Sequence, residues 1–341
     1  MSDVARRAGV SPALASLALR HKPGPSPTSR KAVLQAADDL GYRVNTAASL
    51  LAKNRSHLIG VALDLSQSFH VEAVDHVYRV AEAAGYNVLL SAVTSSRPLD
   101  RATESLIEGS CEGILIVGMH SVPESLLGSP TRMPVAVLGH AEWTGSFDVV
   151  RTAGDLGVRS AVDHLVSLGH TRIAHVDGGD NSGAEERRRG YVEGMREHAL
   201  GDLLHIQRGG NDEEDGLRAG RELLERAPAT TAVICYNDSC AVGMIQAAEQ
   251  AGLTVPEGMS IIGYDNSPVG RTSYLGLTTV AQDTRRLTEI SVQRLIEGIE
   301  NPARPHTETV LPPRLITRST TGPARPGPAA ITRGAADPRL P

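Results

Sequence analysis

Apolar and polar positions alternate in two distinct ways along this chain. Over the first 57 residues the apolar positions recur at helical spacing and are separated by turn signals. Val4, Ala5 and Ala8 lie on one face of a short first helix, and Gly9 falls where that helix must stop, because glycine accepts a left-handed backbone without steric cost. Ser11 offers a hydroxyl to the free N–H groups that open a second helix, with Pro12 at its first position. Ala15, Ala18 and Leu19 are the apolar stripe of that helix, which ends near Arg20. His21 to Pro27 reads as a Pro/Gly loop, and Ser26 caps a third helix, Thr28 to Leu40, with Ala32, Val33, Ala36, Ala37 and Leu40 on its apolar face. A fourth segment, Thr46 to Lys53, is about two turns long and marginal as a free helix.

From Leu58 the pattern changes to short apolar runs that alternate with longer amphipathic stretches. Candidate strands are 58–63, 86–92, 113–117, 134–138, 172–177, 203–207, 231–235 and 259–264. Helices are expected over 71–84, 98–109, 155–168, 185–199, 213–226 and 239–251. Such alternation predicts parallel sheets with right-handed crossovers. The rhythm pauses at 139–154, which reads as a loop, and this divides the region into two open, doubly wound α/β lobes. A last helix, 283–300, and a strand-like Glu308 to Thr317 are expected to return to the first lobe. Residues 319–341, with five prolines and no apolar period, are expected to be disordered.

Charge sharpens this division. Residues 1–57 hold nine Lys or Arg and three acids, about +6, whereas the whole chain carries −5, leaving −11 for the rest. A small basic head on an acidic body is the footprint of a module that meets phosphates, and two short helices around a glycine turn fit a helix-turn-helix. No apolar run approaches the roughly 20 residues of a membrane span and no secretory signal opens the chain. Cys111, Cys235 and Cys240 are odd in number and unpatterned, so reduced thiols in a cytoplasmic protein are expected.

Signatures of catalysis are missing from the sequence. It contains no Gly-Lys-Ser/Thr phosphate loop, no Gly-x-Ser-x-Gly elbow and no dinucleotide fingerprint. His164, His170 and His175 sit at a helix, after a helix-ending Gly169 and within a strand, and are read as structural rather than as metal ligands. Neither a cofactor, a metal nor an enzymatic activity is expected. Polar residues do gather at strand ends of the second lobe, where doubly wound sheets bind ligands. Asn237-Asp238, Asp265-Asn266, Gln282-Asp283 and Arg187 could hydrogen-bond a polyol whose less polar face meets Phe69 or Trp143. Each could instead cap the helix that follows.

The motifs resemble those of the lactose/galactose-repressor family over residues 1 to about 318. They are Asp3-Val4-Ala5 with Ala8-Gly9-Val10-Ser11-Pro12, Leu40-Gly41-Tyr42 with Asn45, and His164-Leu165 with Leu168-Gly169-His170-Thr171-Arg172-Ile173-Ala174. Tyr236-Asn237-Asp238, Gly252-Leu253-Thr254-Val255-Pro256, Ile262-Gly263-Tyr264-Asp265 and Leu277-Thr278-Thr279 complete the set. The resemblance implies an all-α helix-turn-helix headpiece on a periplasmic-binding-protein-like core of two lobes. The domains would be a DNA-binding head over 1–44, a hinge helix and linker over 45–57, and an effector-binding and dimerisation body over 58–318. Within that body, lobe 1 covers about 58–152 and 283–318 and lobe 2 about 153–282.

Carried over by position, the resemblance makes Ser11 and Ser16 phosphate contacts and Pro12, Ala13 and Leu17 base readers. Ser26 and Arg30 would touch the DNA backbone. Asn45, Ala48 and Leu51 fall in the hinge helix, where Leu51 would wedge between central base pairs of the minor groove. Phe69, Arg187, Asn237, Asp265 and Gln282 would contact the effector. The implied function is a dimeric repressor of a palindromic operator, released by a small-molecule effector such as a sugar, with no membrane partner. The other class weighed is a cytoplasmic solute-binding receptor whose basic head meets a protein.

This chain departs from the family pattern in three places. It opens at Met1-Ser2-Asp3 without the usual threonine cap, a pattern expected if the natural start lies upstream. Leu17 stands where a polar reader is common. Ala153-Gly154 and Gln67-Ser68-Phe69-His70 replace the usual Asp-Asn and Asn-Pro-Phe-Phe.

Overall fold

A computed structural model describes residues 1–19, 22–42, 55–65, 67–119, 121–127, 133–139 and 145–325. The expected hinge residues Asn45, Ala48 and Leu51, the ring of Trp143 and the tail 326–341 lie outside the described residues. The chain forms two compact units, Met1–Ser56 and His57–Pro341.

The first unit contains helices α1 (Ser2–Arg7), α2 (Pro12–Leu19) and α3 (Pro27–Asp39). Gly9 has φ +66°, and the Leu14 N–H donates to Ser11 Oγ at 3.2 Å, so the turn and the cap of α2 form as the local chemistry dictates. Ser26 caps α3 through the Ser29 N–H. Val4, Ala5, Ala15, Ala18, Val33, Ala36 and Ala37 form the small core, with Ala8, Val10, Leu19 and Tyr42 packed on it. The expected apolar face of α3 is narrower than its sequence suggests. Ala32 and Leu40 are exposed, because only positions 33, 36 and 37 face α1 and α2.

The second unit has two six-stranded sheets. In the first lobe the strands are β1 (Leu58–Asp64), β2 (Asn87–Val93), β3 (Gly113–Val117), β4 (Val135–Leu138), β5 (Asp148–Thr152) and β11 (Glu308–Leu311). They are ordered β11-β5-β4-β3-β1-β2 and are all parallel. The second lobe contains β6 (Ile173–Asp177), β7 (His205–Arg208), β8 (Ala232–Cys235), β9 (Ser260–Asp265), β10 (Thr278–Ala281) and β12 (Arg314–Ile316). Their order is β12-β10-β9-β8-β6-β7, with β12 antiparallel to β10.

The central strands β3, β4 and β8 are buried at every position, as expected when helices cover both faces of a parallel sheet. Those helices are α4 (Ser68–Ala83), α5 (Leu99–Glu108), α6 (Glu124–Leu127) and α11 (Thr284–Glu300) on the first lobe. On the second they are α7 (Gly154–Ser167), α8 (Ala184–Glu197), α9 (Glu213–Arg226) and α10 (Asp238–Gln250).

The body departs from the sequence-based expectation at several points, among them β10 and α6, which the periodicity did not mark. β5 lies inside the stretch read as a loop. The strand expected over 308–317 is split: β11 joins the first sheet and β12 the second, with Pro312-Pro313 between them, so the chain crosses between lobes three times. Finally, residues 319–325 are held on the second lobe rather than disordered. Thr320 Oγ1 accepts from the Thr278 N–H and donates to the Ile261 carbonyl, the Gly322 N–H donates to Ser260 Oγ, and the Ala324 N–H donates to the Leu168 carbonyl. These bonds hold the segment against the starts of β9 and β10 and the end of α7, long-range contacts that composition alone could not foresee.

Candidate functional site: helix-turn-helix surface and interlobe cleft

In the first unit, Ser11, Pro12 and Ala13 are exposed at the start of α2, Ser16 is half-buried, and Leu17 is 38% exposed. The beginning of α2 therefore presents mostly small and apolar side chains outward. Arg30, expected to touch the DNA backbone, is half-buried at the start of α3. Its guanidinium donates to the Ala18 carbonyl at 3.2 Å and to the Lys22 carbonyl at 2.6 Å, clamping the end of α2 and the following loop to α3. Ser26 likewise serves as a helix cap.

In the second unit, a cavity of about 210 Å³ opens between the lobes at the carboxyl ends of the strands. Phe69, Arg187, Asp265 and Gln282 all line it, so four of the five expected effector residues come together. Asn237 does not line it. Its Oδ1 caps α10 by accepting from the Cys240 N–H at 2.8 Å, and its Nδ2 donates to the Asn211 carbonyl at 2.8 Å and to Gln67 Oε1 at 3.3 Å. It thus ties the second lobe to a residue of the first that does line the cavity. Asp283 is also a cap, for α11.

Arg187 is held by a cage. Its Cζ lies 3.7 Å from the ring centre of Tyr264 and 4.5 Å from that of Tyr236, and Nη1 donates to the Tyr236 carbonyl at 2.5 Å. Burial opposes its charge, but Tyr236, Tyr264, Asp265 and Glu186 more than offset this and raise its pKa. Asp265 receives Gln282 Nε2 at 2.7 Å, and burial, countered by Arg187 and Gln282, raises its pKa to about 6. Its backbone has φ +102° and that of Asn266 +54°. For a non-glycine residue such geometry is strained by about 1–3 kcal/mol and is retained where the surroundings fix it. Here the Asn266 N–H donates to Thr279 Oγ1 and Arg318 Nη2 donates to Asn266 Oδ1 at 2.7 Å.

Behind Asp265, Asp238 is buried and accepts from Thr279 Oγ1 at 2.6 Å and from Ser267 N and Oγ at 2.6 and 2.8 Å. Burial and the neighbouring Asp265 raise its pKa to about 7 despite those bonds.

The first lobe adds His70, Asp64, Arg151 and Thr152 to the wall. His70 Nδ1 donates to the Asp64 carbonyl at 2.8 Å, and burial keeps the ring neutral by lowering its pKa. The ring lies against Gly118, where a Cβ would come within 1.8 Å of Nε2, so glycine is required there. Arg151 Nη1 donates to Glu186 Oε1 across the cleft at 2.7 Å, and its Nε donates to Glu308 Oε1 at 2.7 Å. At the rim Arg271 reaches both carboxylate oxygens of Glu72 at 3.2 Å, again between lobes.

Arg151, Glu186, His70, Tyr236 and Tyr264 were missing from the sequence-derived site. The two tyrosines lay within the quoted motifs and could have been found there. The run Val149-Val150 beside Arg151 was the signal for β5. The pairing of Arg151 with Glu186 had no local signal.

His164, His170 and His175 have separate roles. His164 Nε2 meets Thr321 Oγ1 and His170 Nε2 meets the Gly322 carbonyl, while His175 stacks on Tyr191 in the core. The three cysteines are buried free thiols. No helix among the described residues is long and apolar enough to cross a membrane.

A three-helix head with an exposed second helix, followed in the chain by a two-lobed periplasmic-binding-protein-like body, defines a class of DNA-binding transcription regulator. The family comparisons agree. Residues 1–45 match the bacterial regulatory proteins of the lacI family, and residues 162–321 match the periplasmic binding protein-like domain. The regulator GalR of Escherichia coli K12 is 33% identical, covering 93% of this chain and 94% of GalR. The ribose operon repressor of the same strain is 30% identical, covering 94% and 99%. Among solved structures, the lac repressor dimer bound to operator and the anti-inducer ONPF has a TM-score of 0.81 at 27% identity over 94% of this chain and 98% of that one. A LacI transcriptional regulator from a Rhodococcus species has 0.75 at 35% over 78% and 99%. The chain belongs to the lacI family, and its relatives are transcriptional regulators, not enzymes.

Proposed function

We propose that this protein is a repressor that binds a palindromic operator as a homodimer in the cytoplasm and is released by a small polyhydroxylated effector, a sugar, in the interlobe cleft. One observation carries the reading: the cavity wall combines a caged cation, a carboxylate, an amide and an aromatic ring, the groups that recognise ring hydroxyls and a less polar sugar face. Arg187, Asp265 and Gln282 would take the hydroxyls and Phe69 the ring. Ser11 and Ser16 would meet phosphates while Pro12, Ala13 and Leu17 face base edges, with Ser26 and Arg30 touching the DNA backbone from the start of α3. Asn45, Ala48 and Leu51 are proposed as hinge contacts on family resemblance. Coupling follows because effector and operator would each favour one lobe arrangement.

The test is selection of full-length protein on random duplex DNA, then titration of the winning site with and without a panel of sugars. A palindromic site released by a sugar is the expected result. Enrichment of no sequence would refute the operator reading, and a palindrome indifferent to every sugar would refute the sugar effector.

A further inference from the structure

The charges around the cavity restrict what can enter it. Among the described residues, Asp64, Asp180, Glu186 and Asp265 line it against two cations, Arg151 and Arg187. Both arginines are already matched. Arg151 spans Glu186 and Glu308, each at 2.7 Å, and is only 18% exposed, while the Glu186 side chain is 5% exposed. Arg187 sits between two tyrosine rings with Asp265 Oδ1 at 3.7 Å. His70 is buried with its Nδ1 proton directed at a carbonyl and adds no positive charge. An anionic ligand would therefore leave water for a site with an excess of carboxylates and no cation in reserve, a transfer that costs heavily. A neutral hydroxyl suffers no such penalty, since it carries no charge to desolvate and can both donate and accept at a polar wall. The cavity, at about 210 Å³, is below the roughly 300–1,000 Å³ of drug-sized sites and matches a single ring.

We infer that the cleft selects an uncharged, monosaccharide-sized polyol and rejects sugar acids and sugar phosphates, with the interlobe Arg151–Glu186 pair as the element that sets this preference. The inference rests on the sugar-effector reading above and goes beyond it by fixing the charge and size of the ligand.

Isothermal titration of the full-length protein with D-galactose, D-glucose and D-ribose, against D-galacturonate, D-glucose 6-phosphate and D-ribose 5-phosphate, tests it. The expected result is binding of at least one uncharged sugar, with its anionic counterpart at least tenfold weaker. Glu186→Gln releases part of the Arg151 charge and should narrow that gap several-fold. Asp180→Asn, at an exposed position that cannot disturb the core, should narrow it by a smaller factor. An anionic sugar that binds as tightly as its uncharged parent overturns this inference while leaving the effector reading intact. A gap unchanged in both variants, with melting curves showing both folded, overturns the role of charge. If no sugar of either kind binds, the effector reading fails and this inference with it.

Discussion

Arg187 Nη2 lies 3.7 Å from Asp265 Oδ1, with the guanidinium stacked on Tyr264, the residue just before that aspartate. One strand end thus supplies both the platform and the counter-charge for a cation delivered by α8. Replacing Arg187 with Met would keep much of the volume and remove the charge. The Asp265 carboxyl, already raised to about 6, would move further up and become neutral near pH 7. Because it can neutralise, the stability loss should fall toward the lower end of the roughly 3–5 kcal/mol seen when one member of a buried pair is removed. Sugar affinity should drop at least tenfold. Urea unfolding and calorimetric titration check both.

Asp238 gives a pH-dependent prediction. Its folded pKa of about 7 lies above the ordinary aspartate value, so the native state binds its proton more tightly than the unfolded chain. Stability from this group is present at low pH and is lost as pH rises through about 7. Asp238→Asn disrupts bonds from Ser267 and Thr279 at any pH but escapes the charge burial. Its cost should therefore be greatest at pH 5 and smaller at pH 8, as measured by unfolding free energies of both proteins at the two pH values.

His175 acts in the opposite sense. Burial in the core pushes its pKa down to about 4. The neutral ring contributes stability that is present above the unfolded value near 6.5 and is lost as pH falls through 4. His175→Phe should flatten the acid limb of the unfolding curve between pH 6.5 and 4, and the flattening should be absent above pH 7.

Two helices cross at a glycine with no spare room. A Cβ on Gly190 of α8 would lie 2.3 Å from the Asp155 carbonyl oxygen of α7. The obstacle is backbone, not the end of a flexible side chain, so Gly190→Ala should destabilise the body by at least the roughly 1–3 kcal/mol typical of overpacking. A fall in the melting temperature of the full-length variant relative to the parent chain checks it.

Leu17, exposed on α2, can touch an apolar base edge such as a thymine methyl but cannot pair with guanine. Leu17→Arg should introduce a guanine preference worth roughly 1–3 kcal/mol at one position of each half-site. Repeating the DNA selection with the variant shows whether that position alone changes.

The legible parts of the molecule were those whose physics is local. Gly9, Ser11 and Pro12 announce the turn because cap and φ requirements act over three residues. The runs 58–63 and 113–117 announce buried strands because both faces need apolar side chains. β5 stayed hidden because Asp148 and Arg151 break a five-residue strand, although Asp148 is satisfied by Arg304 and the Thr307 N–H more than 150 residues on. Asn237 was placed in the cleft because a cap and a ligand use the same side-chain oxygen, and sequence alone cannot choose between them. Arg151 and Glu186 are 35 positions apart and on different lobes, so only the fold reveals their contact.

β11 ends at Leu311 in one sheet and β12 begins at Arg314 in the other, leaving Pro312 and Pro313 as the whole bridge between lobes at that point. Proline fixes φ near −65° and supplies no N–H for a new bond. The Pro313 ring also lies where a side chain on Gly157 would reach, so this end of the bridge is seated against α7. A strut this short and stiff restrains separation of the lobes at that edge, and the motion it opposes least is rotation about it. A ligand that shifted the lobes would then act there as torque, an angular change between the two sheets.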